Sequence, residues 1–122
     1  MTAAPAPRLV RAAPELPVDD LDRALAYYDG QLGFRTMSRM PQGNYAVVQR
    51  DDVALHLFSD GDASTPVSLH IFVEEIERLE SDLGSRGARI TQPLERRPWG
   101  NRDFRIVDPF GNQIKFTEPA AV

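Results

Sequence analysis

The hexapeptide Val18-Asp19-Asp20-Leu21-Asp22-Arg23 returns in type as Val73-Glu74-Glu75-Ile76-Glu77-Arg78: aliphatic, acid, acid, aliphatic, acid, arginine. Recurrence in both halves of one short chain implies two copies of a single supersecondary unit. Each copy follows an apolar run, Leu16 and Val18 in the first and Leu69, Ile71 and Val73 in the second. The acids then stand where a helix N-terminus accepts them, by capping and by the macrodipole. A periodic apolar stripe continues each helix: Leu21, Leu25, Tyr28 and Leu32, then Ile76, Leu79 and Leu83. Asp29-Gly30 and Gly33 stop the first helix, and Gly84 and Gly87 stop the second.

After the first helix, Phe34 to Met40, Tyr45 to Arg50 and Val53 to Phe58 read as strands, parted by the turns Pro41-Gln42-Gly43-Asn44 and Asp51-Asp52. The second copy offers Pro66 to Val73, its helix, Arg89 to Leu94, and a closing hairpin of Arg102 to Val107 and Gln113 to Thr117. Between the hairpin strands, Asp108-Pro109-Phe110-Gly111-Asn112 supplies turn chemistry: proline presets φ, and glycine or asparagine tolerates positive φ. Each half is therefore strand, helix, three strands, which predicts an α+β fold of two βαβββ modules. Module 1 covers about residues 8–58, the Asp-, Gly- and Ser-rich stretch 59–65 is a linker, and module 2 covers about 66–118. A four-stranded sheet with one helix-covered face leaves edges, so the halves must combine, into a curved mixed-sheet cup within a single domain spanning 1–122.

Bulk properties remove several function classes. With 14 basic against 18 acidic residues the formal charge is -4, the wrong sign for a nucleic-acid footprint. The chain has no cysteine, so disulfides, thiolate catalysis and Cys-ligated zinc are excluded. No apolar run approaches the ~18 residues of a membrane span, and Pro5, Pro7 and Pro14 interrupt the N-terminal stretch. The expectation is a soluble, cytoplasmic protein with no membrane partner.

The closing hairpin resembles that of the vicinal oxygen chelate superfamily, the glyoxalase, bleomycin-resistance and ring-cleaving dioxygenase proteins, whose motif is a strand, Asp-Pro-x-Gly-Asn, then a strand. The resemblance covers about Pro14 to Glu118 and implies the same βαβββ pair. Metalloenzyme members bind their metal through the first and last strands of each module, including a Glu three residues after the hairpin Asn. Carried onto this chain, those slots fall at Ala13, His56, Ser68 and Lys115. A divalent first-row metal needs deprotonated N, O or S donors, usually three or more from protein. Alanine and lysine offer none, so no metal and no cofactor are expected, with a His56 and His70 pair as the one improvised alternative.

Alternation within the strands instead places Tyr45, Val47 and Gln49, His56 and Phe58, and Ser68, His70 and Phe72 along the cup. Aromatic faces of this kind bind planar ligands by stacking. Leu32-Gly33-Phe34, Arg50-Asp51-Asp52-Val53 and Pro98-Trp99-Gly100 are similar to the bleomycin-resistance branch, metal-free binders of a cationic glycopeptide antibiotic. That resemblance implies ligand-binding roles for Trp99 and Phe34, beside Tyr45, His56, Phe58, Ser68, His70 and Lys115. It further implies a homodimer in which the N-terminal strand is exchanged at Pro14. One departure stands out: Lys115, Arg105 and Arg96-Arg97 put positive charge near the cup, and a lysine there repels a cation by roughly 1 to 4 kcal/mol at contact distance. The ligand is then neutral or anionic, unless Glu15, which shares the cup-facing alternation, neutralises Lys115. The expected function is a metal-independent binder sequestering an antibiotic-like small molecule, with no catalytic residue. The alternatives are a lyase or isomerase using His56 or His70 as base and an interaction protein with a vestigial cup.

Overall fold

The computed structural model describes residues 5–61 and 65–121, so residues 62–64 of the expected linker lie outside the described residues. Ten elements follow in order: β1 (Glu15–Pro17), α1 (Leu21–Gly30), β2 (Arg35–Arg39), β3 (Tyr45–Arg50), β4 (Val53–Phe58), β5 (Ser68–Phe72), α2 (Ile76–Ser85), β6 (Arg89–Arg96), β7 (Arg102–Val107) and β8 (Gln113–Glu118). The strands form two four-stranded sheets with the orders β1-β4-β3-β2 and β5-β8-β7-β6. In each, the first strand pairs parallel to the last and the other neighbours are antiparallel. The repeated hexapeptide thus marks two copies of one topology. No helix among the described residues is long and apolar enough to cross a membrane.

Helix starts are built differently in the two copies despite the shared acids. Asp20 adopts an extended backbone and its side chain accepts from the Arg23 N–H at 3.0 Å, an ordinary N-cap. Glu75 sits at φ 52 with no side-chain cap. The Ile76 N–H is satisfied instead by the Glu118 carboxylate at 3.2 Å, from the last strand. Within α1 the buried positions are Leu21, Ala24 and Tyr28, while the expected Leu25 is only half-buried.

Period-2 alternation then fixes which sheet face meets the helices. Ala46, Val48, Leu55 and Leu57 are buried with α1, and Ile71, Phe104, Ile106, Ile114 and Phe116 form the corresponding layer of module 2. Phe104 and Phe116 are cross-strand partners with stacked rings 5.0 Å apart.

The β7–β8 turn joins the modules. Asp108, 4% exposed, accepts from the N–H groups of Phe110 (2.9 Å) and Asn112 (2.8 Å), the Asn112 side-chain amide (2.9 Å) and the Tyr28 hydroxyl (2.8 Å). Asn112, fully buried, also donates to the Pro17 carbonyl (2.8 Å) and accepts from the Val67 N–H (3.0 Å). Burial, then the Asp108 charge, hold the Tyr28 hydroxyl far above its ordinary pKa, so it stays a donor. Gly111 has φ +89, and a Cβ there would lie 3.0 Å from the Pro66 ring, so both conformation and space demand glycine. Asn112→Ala removes bonds to a strand end, the residue before β5 and a buried carboxylate at once. It should lower unfolding free energy by about 2–4 kcal/mol in urea titration, with the m-value unchanged.

Candidate functional site

On module 1, Tyr45, Val47 and Gln49 of β3 stand opposite Phe58, His56 and Ala54 of β4, on the face turned away from α1. In parallel register, the first-strand neighbour of His56 is Glu15. The Tyr45 hydroxyl donates to Glu15 Oε2 at 2.7 Å and lies 2.7 Å from His56 Nδ1. A phenol has one proton and a carboxylate only accepts, so His56 Nδ1–H is the donor to Tyr45. The Glu15 bond, then burial, raise the Tyr45 pKa. This chain of three side chains escapes periodicity, which gives a face but no partners. It also corrects the expected Glu15–Lys115 pair: Glu15 is engaged within its own module.

On module 2, Ser68, His70 and Phe72 of β5 stand beside Gln113, Lys115 and Thr117 of β8, followed by Val107, Arg105 and Asp103 of β7. His70 Nε2 lies 2.5 Å from Thr117 Oγ1, and the His70 and Phe72 rings are 4.4 Å apart at 33°. Burial, then the charge of Lys115, lowers the His70 pKa; Asp103 opposes this, and Arg105 adds a lesser lowering effect. The imidazole is neutral near pH 7. Asp103, 1% exposed, is gripped by Arg97 through two bonds, Nε to Oδ2 at 2.9 Å and Nη2 to Oδ1 at 2.7 Å. Arg97, expected to add positive charge to the cup, is therefore neutralised there.

The remaining expected ligand residues divide. Trp99 is 65% exposed in the β6–β7 loop, consistent with a rim position. Phe34 is not on the cup: Gly33 at φ +74 turns the chain so that Phe34 is 4% exposed, edge-to-face with Tyr28 at 6.1 Å. It borders a different feature, an open cleft of about 1190 Å³ between α2 and the β3–β4 turn whose rim carries Arg50, Asp51, Glu74 and Arg78.

The four metal slots fare no better in space than in sequence. Ala13 precedes β1, Ser68 opens β5, and His56 and Lys115 sit centrally in β4 and β8. A methyl, a hydroxyl, one imidazole and an ammonium do not fit a divalent metal. Among the described residues no group of three or more His, Asp or Glu side chains is placed to share an ion.

The Arg97 bond, ahead of the nearby charges of Arg97, Lys115 and Arg105, holds the Asp103 carboxyl below its ordinary value of 3.8. The unfolded chain therefore binds more protons in acid, and this contribution, complete above about pH 4, is lost as pH falls through the folded value. Asp103→Asn should be less stable than the parent at pH 7 and show a shallower loss below pH 4, measured by urea unfolding across pH.

Residues 8–116 match the model of the Glyoxalase/Bleomycin resistance protein/Dioxygenase superfamily. The bleomycin resistance protein of Geobacillus stearothermophilus is 28% identical, over 88% of this chain and 96% of its own. Among solved structures, the bleomycin resistance determinant encoded on the transposon Tn5 superposes with a TM-score of 0.80 at 24% identity, covering 93% of this chain and 100% of that one. Lactoylglutathione lyase from Agrobacterium tumefaciens superposes at 0.74 with 20% identity, covering 91% and 95%. With two βαβββ modules, the Asp108 to Asn112 turn closing the second, and a family match running from the N-terminal arm into β8, the chain belongs to the glyoxalase, bleomycin-resistance and dioxygenase superfamily.

Proposed function

We propose that the protein is a metal-independent, cytoplasmic binder that sequesters an antibiotic-like aromatic molecule, working as a homodimer. The observation that carries this reading is the chemistry of the sheet faces. Where metalloenzyme relatives place ligands, this chain has Ala13, Ser68, His56 and Lys115, beside the exposed aromatics Phe72 and Trp99. Such faces stack and hydrogen-bond a planar ligand without activating it. Similarity to bleomycin resistance proteins supports the binding role over a catalytic one.

The N-terminal arm supports a dimer. β1 begins only at Glu15, and before it Leu9 and Val10 are 99% and 81% exposed. Exchange at Pro14 would lay these side chains on a partner copy. Removing residues 1–13 should convert the dimer to monomer in light scattering coupled to gel filtration; an unchanged mass would exclude the arm as the joint.

An enzymatic reading has one specific support, the Glu15–Tyr45–His56 chain, which holds the imidazole through its Nδ1. A thermal-shift screen of aromatic and glycopeptide antibiotics, with and without chelator, separates the two. Sequestration predicts a stabilising hit, insensitive to chelator, that quenches Trp99, the single tryptophan. Turnover of the hit, abolished in His56→Ala, would establish the enzyme instead.

A further inference from the structure

We propose that the cup face of module 2 recognises a carboxylate attached to an aromatic ring, with the carboxylate held between Arg105 and Lys115 and the ring on Phe72, an assignment that rests on the binding role above. Arg105 and Lys115 are direct cross-strand partners on one face, an arrangement in which like charges repel. Across β8, the register partner of Lys115 is His70, whose proton affinity both cations depress, so the ring adds no third charge but retains hydrogen-bonding capacity. Asp103, which alternates with Arg105 on the same face of β7, is committed to Arg97 by two bonds. Glu95, the cross-strand partner of Asp103, is also paired with Arg97, and Glu15 is bonded to Tyr45 in module 1.

Neither Arg105 nor Lys115 makes a salt bridge among the described residues, a state they share with Arg8, Arg11, Arg23, Arg35, Arg89 and Arg96 but not with Arg97 of the same face. The Arg105 Nε is moreover shielded from solvent and without a hydrogen-bond partner. A guanidinium that spends no hydrogen bond among the described residues keeps its outer N–H groups for an anionic acceptor. Phe72, 62% exposed and packed against His70, offers an aromatic surface at the end of the same strand. Two unpaired cations and an open ring on one face fit an aryl carboxylate and disfavour a cation.

The test compares three probes of one shape, 2-naphthoate, 2-naphthamide and 2-naphthylmethylammonium, by calorimetric titration of the full chain at low and moderate salt. Naphthoate should bind about tenfold or more tighter than the amide, the ammonium weakest, and the advantage should shrink as salt rises. Lys115→Gln and Arg105→Gln, each checked for an unchanged melting temperature, should bring naphthoate to the affinity of the amide and leave amide binding intact. If either variant unfolds, an upward shift of the His70 pKa in the parent on adding naphthoate, followed by NMR, provides the same readout. Equal affinities for the three probes, or an anion preference that survives both substitutions, overturn the assignment and leave the binding role standing. Absence of binding by all three probes and by the antibiotic panel overturns both.

Discussion

Everything in this molecule converges on the carboxylate of Asp108 and the amide of Asn112. A buried carboxylate is tolerated only when its lone pairs are satisfied, and four donors from the hairpin and from α1 do so. The same pair ties β1 through the Pro17 carbonyl and the start of β5 through the Val67 N–H. A five-residue turn therefore acts as a joint between the two modules, with Arg23 of the first also lying over the Phe110 ring of that turn. Polar networks of this kind specify one arrangement where hydrophobic burial alone permits several, because any shift strands a donor or an acceptor in low dielectric.

The two sheet faces carry opposite electrostatics on one backbone plan. Equivalent positions hold a Glu15–Tyr45–His56 chain in module 1 and His70 beside Lys115 in module 2. The first face is internally satisfied by hydrogen bonds, while the second keeps cations in surplus after Arg97 and Asp103 have paired. Because the scaffold is set by the residues that alternate with these, the face residues can differ between the modules while the core pattern is kept.

Much of this was legible in the sequence, and the reason is the two-residue period. Ala46 and Val48 facing the helix force Tyr45, Val47 and Gln49 to the other side, with no knowledge of what any of them touches. Turn chemistry fixed the hairpin, and the hexapeptide repeat fixed the topology. What stayed hidden are partners and local exceptions. Tyr45 meets Glu15 across three strands, and Arg97 reaches Asp103 around a loop; periodicity has no information about such meetings. Phe34 followed its motif to a ligand role, but the left-handed turn at Gly33 and the bond from its N–H to the Tyr28 carbonyl at 2.7 Å fold it inward. Glu75 carried the acid pattern of a cap and, in a left-handed conformation, pairs with Arg78 instead.

The borrowed cap of α2 bears on how the chain is made. Glu118, which satisfies the Ile76 N–H and pairs with Arg102, emerges from the ribosome at the end of the second module. Asp108 and Asn112, which complete the surroundings of Tyr28 and Pro17 in the first, emerge only shortly before it. A nascent chain halted after Phe58 holds every strand of its first sheet yet lacks the groups that satisfy its buried polar atoms, so neither half can finish ahead of the other. The first module is completed only once the β7–β8 turn of the second is in place, so a change in that turn would be felt by the whole fold rather than by one hairpin.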